Sequence, residues 1–365
     1  MISFALEEEQ RLAQDTARAF ARDTLRPRAR IWEAQGVSED VARQYHALGF
    51  AWIEFPPQCG GSGAGLLTKV VALEELGWGD ASCVLALDTA GPLAALLELL
   101  PAAARADLAA ARERPPASVG YFWDRDGSLS CDAGRFSGTI PYLPVRELGW
   151  LVLRHGSALA LIAGNACTQK PVGAGALSAA GASEAHLSGA EPVWWREDAA
   201  LADSLWARLR LFASALLVGL ARAAHEYALQ YACERVVFGK PVAHHQAPAF
   251  QLAEMRIGLE AARAVLWRAA HALDRGEGDA TLWAAFAYLE AADLALAVTR
   301  DAVQLLGGHG FLRDHLVEKW MREARALSLL WGGRDAAADD AASLLETNWV
   351  NIASPKGEAA ERREP

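Results

Sequence analysis

From Ala280 to Leu305 the chain is an alanine-rich segment of helical period that is apolar over most of its circumference. A helix lacking a polar face is stable only between other elements, so this one must be buried on more than one side. Two helix-period stripes precede it. Leu209, Phe212, Leu216 and Leu220 form the first; Leu252, Met255, Leu259, Ala262 and Leu266 form the second. Three long helices in succession predict a bundle over about 201–350. With 365 residues, 52% of them apolar and 22% charged, the chain can bury such a core, and wholesale disorder is excluded.

The N-terminal third also has helical spacing, in Leu12, Ala13, Thr16 and Phe20 and again around Val70, Leu73 and Leu76. A Pro/Gly loop from Phe55 to Gly63 must interrupt it, and Pro115 and Pro116 close the region. From about Ala117 to Ala199 short apolar runs, such as Trp150 to Leu153 and Ala158 to Ile162, are punctuated by Gly, Pro, Ser and Asn. That pattern suits a small β-sheet or barrel. The layout predicted is a helical domain over 1–114, a short β domain over 115–200, a helical bundle over 201–350 and a charged, disordered tail over 351–365. The fold class is α+β, mainly α, and no internal repeat is evident.

The 35 basic and 45 acidic residues give a net charge of −10. A field of that sign opposes phosphate backbones, so no nucleic-acid partner is expected. The most apolar stretch outside the helices, Leu151 to Gly164, is too short to span a membrane and carries Arg154 and His155. Met1 to Gln10 runs into acidic residues without a secretory pattern, and a cytoplasmic protein is the expectation. Cys59, Cys83, Cys131, Cys167 and Cys233 are odd in number and include no C-x-x-C pair. Buried free thiols are expected, rather than a disulfide framework or a zinc site. His244 and His245 are adjacent and face apart, so no metal site is expected there either. Trp194 and Trp195 read as packing at a domain seam.

Two windows carry residue types suited to an anion. One is Glu234-Arg235-Val236-Val237-Phe238-Gly239-Lys240-Pro241, followed by His245-Gln246-Ala247; the other runs from Asp301 through Gln304, Gly307, Gly308 and His309 to Phe311. Taken singly, an Arg before a turn is a solvated residue and Gly-Gly after an apolar helix is a C-cap. Taken together, glycines let backbone N–H groups approach an anion, and an Arg fork supplies the matching charge.

With these windows the chain resembles the acyl-CoA dehydrogenase family of flavoproteins. The N-terminal resemblance lies in Glu7-Glu8-Glu9-Gln10, Leu48-Gly49-Phe50, Phe55-Pro56 with Gly60-Gly61-Ser62-Gly63, and Glu74-Glu75-Leu76-Gly77. The C-terminal resemblance lies in the two windows, Glu318-Lys319 and Arg322-Glu323-Ala324-Arg325. It implies a helical N-terminal domain, a β-barrel middle domain and a C-terminal four-helix bundle. It also implies FAD extended across a subunit interface and an acyl-CoA thioester as substrate. Residues matching Arg235, Phe238, Gln304, Gly307 and Gly308 grip the ADP half of the neighbouring subunit's FAD, with Gln246 in the matching helix near that surface.

Elsewhere the chain departs from the family. The T-E-P-x-x-G-S-D stretch that contacts the flavin ring has no counterpart in Ser118 to Ser128, and the next flavin-contacting strand is replaced near Thr139-Ile140-Pro141-Tyr142. Phe122, Trp123 and Tyr142 could stack on a flavin, although barrel core or rim is the commoner role for such rings. The family reaction needs a carboxylate to take an α-proton. At the two positions where members carry that Glu, this chain has Trp331 and Leu209, the latter followed by Arg210, and two neighbouring ring contacts become Gly333 and Asp335. No catalytic residue is therefore assigned.

The losses fall on the half of the site that completes a subunit's own flavin, while the half offered to a neighbour is intact. The pattern resembles the non-catalytic subunit of bacterial α2β2 acyl-CoA dehydrogenases, several of which act on CoA thioesters from sterol degradation. Two alternatives stand beside it. One is a homomeric flavoenzyme with a relocated base, for which Asp335, Glu323 and Asp88 lie near site regions, though solvated or capping carboxylates are the commoner fate. The other is a binding or scaffold protein without catalysis.

Overall fold

A computed structural model describes residues 5–110 and 118–353. The first helices are α1 (Glu8–Phe20), α2 (Ala29–Gln35), α3 (Glu39–Ala47), α4 (Leu66–Leu87) and α5 (Ala102–Ala110). Glu7 and Gln10 cap α1 reciprocally. Its stripe is rotated from the sequence expectation: Ala17 and Phe20 are buried, whereas Leu12 is 69% exposed. Pro115 and Pro116, and the tail from 354 onward, lie outside the described residues.

Eight strands follow: β1 (Ser118–Asp124), β2 (Leu129–Asp132), β3 (Arg135–Leu143), β4 (Leu148–His155), β5 (Ala158–Ala163), β6 (Cys167–Pro171), β7 (Ser183–Ala190) and β8 (Trp194–Glu197). They form two four-stranded sheets, ordered β1-β4-β5-β8 and β2-β3-β7-β6. Only the β1–β4 pair is parallel among the described strand pairs. The sheets enclose their own core of Phe136, Ile140, Leu151, Ile162 and Leu187. Side-chain alternation along β1 sends Val119 and Tyr121 to the helical core, with Trp123 packed against it, and turns Phe122 to the sheet core.

The remaining elements are α6 (Ala199–Glu234), a hairpin of β9 (Val236–Val237) and β10 (Lys240–Pro241), α7 (Gln246–Asp274), α8 (Ala280–Leu306), α9 (Val317–Leu327) and α10 (Gly333–Ala353). Both apolar stripes predicted for α6 and α7 are buried, as is most of α8. By length and composition three helices, within 66–99, 199–234 and 280–311, could cross a membrane. The sequence expectation of no such stretch therefore needs correction. A helix enclosed by protein on several sides is as apolar as one enclosed by lipid, and these pack against one another.

Helices α4 and α6 cross at van der Waals distance. A Cβ at Gly77 would lie 2.9 Å from the Leu216 Cα, and one at Gly219 would run into the backbone of Glu74 and Trp78. Buried charge fixes the same crossing. Glu74 accepts from Arg263 of α7 at 2.6 Å, and Glu75 accepts from Arg222 of α6 at 2.6 Å and Arg18 of α1 at 2.9 Å. Further along α4, Asp80 leaves helical geometry (φ −164°, ψ 105°) and kinks the helix. Its Oδ1 caps the restarted turn at the Cys83 N–H, and its Oδ2 accepts from Lys319 of α9 at 2.9 Å. Of the cysteines expected to be buried, Cys83 and Cys167 are; Cys131 and Cys233 are exposed because they lie on solvent faces of β2 and α6.

A methyl group at the crossing should be costly because only backbone could yield to it. Gly219→Ala is expected to lower unfolding stability by about 1–3 kcal/mol, read as a reduced urea midpoint.

Candidate functional site

Helix α6 stops at Glu234, and the hairpin that follows turns on Phe238 (φ 52°) and Gly239 (φ 81°). Two consecutive left-handed residues make the tight turn that matches strand twist. Glycine adopts it freely, but a phenylalanine there is strained, and Phe238 is 94% exposed. Among the described residues its ring contact is edge-on to His245, with centroids 6.4 Å apart, so most of that apolar surface stays open. The hairpin is braced by the His245 Nε2–H donating to the Val237 carbonyl at 3.0 Å, which sets Gln246, the first residue of α7, beside it.

The end of α8 meets this surface. Gly307 (φ 58°) terminates the helix, and a Cβ at Gly307 or Gly308 would find no atom within 4 Å. At Gly310, by contrast, it would collide with the Val303 carbonyl, so that glycine serves packing. Tyr231 of α6 reaches His309 with 2.8 Å between hydroxyl and Nδ1, linking the glycine turn to the end of α6. The side chains of Arg235 and Gln304 have no partner among the described residues. An unpaired guanidinium, an open Gly-Gly turn and an uncovered aromatic together fit the ADP half of a dinucleotide. Arg235, Phe238, Gln246, Gln304, Gly307 and Gly308 would hold it.

The position to which the resemblance assigns the acid carries an aromatic side chain. Trp331 adopts φ 54°, ψ 40° and inserts its indole between Tyr121 (centroids 6.3 Å apart) and Phe212 (6.1 Å). What remains is a cavity of about 10 Å³ lined by Leu85, Asp88, Pro92, Tyr121, Phe212 and Trp331. That volume holds a single water and no acyl chain. Leu209 is fully buried in α6. Its neighbour Arg210 is ion-paired with Asp340 at 2.5 Å.

Of the carboxylates considered as relocated bases, none lines an acyl-sized cavity among the described residues, although Asp88 Oδ1 and Glu323 Oε2 have no hydrogen-bond partner there. Asp335 is exposed in the first turn of α10. Asp88 and Glu323 were expected to be solvated or capping; both are buried instead, because each is neutralised by a buried lysine. Asp88 Oδ2 accepts from Lys69 and, at 2.5 Å, from the Tyr45 hydroxyl. Glu323 accepts from Lys319 at 2.6 Å and does not line the Trp331 cavity. Burial, and the sharing of one lysine with Asp80, pushes the Glu323 carboxyl up to about 7.

A second depression, of about 830 Å³, lies beside the plug between Tyr142, the 173–176 loop and Leu329–Leu330 at the end of α9. Tyr142 thus lies at a rim where a ring could stack. The charged residues lining it are Arg322 and Arg325, with no carboxylate to take a proton. Phe122 and Trp123 are not available for stacking. Phe122 packs on the sheet core, and Trp123 lies edge-on to Trp206 (5.7 Å) beneath the Arg154 guanidinium (4.1 Å). Trp194 packs on the helical core at the expected seam, whereas Trp195 does not: it is 40% exposed and stacks on Phe136 of the sheet core.

Residues 7–105 match the model of the acyl-CoA dehydrogenase N-terminal domain, and residues 200–342 that of the C-terminal domain. Cyclohex-1-ene-1-carbonyl-CoA dehydrogenase of Geobacter metallireducens is 30% identical over 364 residues, spanning 90% of this chain and 95% of that protein. The chain belongs to the acyl-CoA dehydrogenase family. Solved structures agree on the fold at lower identity. Butyryl-CoA dehydrogenase from Megasphaera elsdenii superposes with a TM-score of 0.83 at 22% identity, covering 94% of this chain and all of that one. PigA with FAD and proline gives 0.84 at 20%, covering 95% and 100%. The two family matches leave out 106–199, the stretch in which the flavin-contacting strands depart from the acyl-CoA dehydrogenase pattern.

The Glu323 carboxyl gives stability a definite sign with pH. Its folded value lies above that of the unfolded chain, so the folded state binds the extra proton between about pH 4.5 and 7. Stability from this group is full at the acid end of that window and declines as pH rises through it. Comparing urea midpoints across pH 4.5–7 should show a shallower decline in Glu323→Gln than in the unaltered chain.

Proposed function

We propose that this chain is the non-catalytic subunit of an acyl-CoA dehydrogenase assembly, holding the ADP half of FAD for a partner subunit that supplies the flavin-ring seat and the base. FAD, when bound, supplies the hydride acceptor for α,β-dehydrogenation of an acyl-CoA thioester. Family membership supports that reaction class for the assembly. The observation that supports the subunit assignment is Trp331, which stands at the sequence position the resemblance gives to the family's acid and packs its indole between Tyr121 and Phe212.

What this chain's own residues do is bind and orient. Arg235 offers a forked cation to a diphosphate, and the Gly307–Gly308 turn, with open space where side chains would stand, lets a ligand come close to the backbone. Phe238 offers an apolar cover. In an acidic protein, such local donors are what a doubly charged pyrophosphate requires. A complementary pairing of one clamp with one ring seat gives an α2β2 heterotetramer as the simplest closed assembly. The CoA thioester then enters the partner's pocket, and the sterol-derived thioesters of similar assemblies are the substrate class suggested by the resemblance.

The homomeric reading has one observation in its favour, the carboxylate of Asp88 on the wall of the Trp331 cavity. Lys69 and Tyr45 occupy its Oδ2, so it is poorly placed to abstract a proton.

Co-expression with a family partner, followed by native mass and flavin absorbance, tests the assignment. Roughly half as much flavin as chains is expected, from the pairing of complementary interface halves. Arg235→Ala should lower flavin retention by the complex, and Trp331→Glu alone should not give this chain dehydrogenase activity. Full flavin occupancy of the isolated chain, with bleaching by an acyl-CoA, would refute the assignment.

A further inference from the structure

Tyr227 and Tyr231 in the last turns of α6 and Arg235 at its C-cap recur every fourth residue, so they form three successive rungs about 6 Å apart on one face. The first two rungs are filled. The Tyr227 hydroxyl lies 2.7 Å from His315 Nδ1, and the Tyr231 hydroxyl lies 2.8 Å from His309 Nδ1. The two imidazoles stack on each other, with centroids 5.5 Å apart and planes inclined by 16°. The third rung, the Arg235 guanidinium, has no partner among the described residues.

We propose that His309 is a further nucleotide-contacting residue, donating from Nε2–H to the diphosphate held on the Arg235 rung, and that Tyr231, His315 and Tyr227 are the residues that position it. The inference rests on the clamp reading above and adds a residue to it. Three features support the assignment. His309 follows Gly307 and Gly308 directly and is exposed, so its ring borders the open turn. Its Nδ1 is engaged by Tyr231, which leaves Nε2 as the ring nitrogen open to a ligand. An anion at Nε2 selects the tautomer with its proton there, and the Tyr231 hydroxyl then donates to Nδ1.

The second histidine prevents the first from turning away. His315 is half-buried, and its carbonyl accepts from the Arg30 guanidinium at 2.7 Å. Its ring also packs edge-on against Tyr227 and Tyr231. A stack anchored on that side holds His309 in one plane, so little rotamer freedom is lost when a phosphate oxygen binds.

Isothermal titration of the full chain with ADP tests this, with adenosine as the probe lacking phosphates. His309→Phe keeps a ring in the stack but has no N–H. It should weaken ADP about tenfold, the loss of a hydrogen bond to a charged acceptor, and leave adenosine binding unchanged. His309→Gln, which retains a donor, should recover part of the loss. Tyr231→Phe should weaken ADP less. In that variant the His309 ring nitrogen shifts, read by ¹⁵N resonance, should report a changed tautomer balance, a signature that mere loss of packing does not produce. Unchanged ADP affinity in His309→Phe, with Arg235→Ala impaired, overturns the role of His309 and leaves the clamp standing. Unchanged affinity in both variants, or no ADP binding by the chain, overturns both.

Discussion

The close crossing of α4 and α6 at Gly77 and Gly219 is the constraint on which the rest of the structure turns. With no Cβ on either side, the two backbones approach until side chains further along interlock. Phe212, Leu85 and Asp88 are thereby brought to one wall, and Tyr121 of β1 closes it. The same α6 then runs on to Tyr227, Tyr231 and Arg235. One helix therefore joins Phe212 of the Trp331 cavity to Arg235 of the proposed clamp, and the distance between them is fixed by a rod rather than by a loop.

Filling the pocket is energetically reasonable. A half-buried indole removes apolar area from water, on the order of one to two kcal/mol, and its edge-on contacts with Tyr121 and Phe212 add to that. Against this stand a left-handed backbone at a bulky residue and an indole N–H with no partner. The flanking Gly332 and Gly333, both at positive φ, let the chain make that turn without further strain. An empty acyl cavity would leave a void of the kind that destabilises a core, so a chain with no use for the cavity is more stable with it plugged.

Much of this was legible in the sequence. The periodic stripes of α6 and α7, the apolar girth of α8 and the punctuated strands foretold the order of elements, because each pattern is local. The residues of the proposed clamp could be nominated from the sequence alone, since Arg235 and Gly307–Gly308 sit in short motifs. What the sequence hid depends on distant partners. Asp80 kinks α4 because Lys319, far along the chain, stabilises its carboxylate. Asp88 and Glu323 resemble surface acids until their lysines are seen. Leu12 belongs to an apolar stripe by spacing yet faces solvent, as one position of four in a short helix is too little to fix its rotation. The pairing of Tyr231 with His309 joins residues 78 apart in the chain, and no local pattern announces it.

Phe238, Phe250, Ile257 and Phe311 leave a greasy, uncovered margin around the clamp. Apolar margins of this sort cost little in a finished assembly and a great deal in a cell that makes too much of one component. In the assembly proposed above, a surplus of this polypeptide would leave that margin bare, so its abundance would be tied to the supply of the partner that shields it. Balanced synthesis is, in that sense, written into the hairpin.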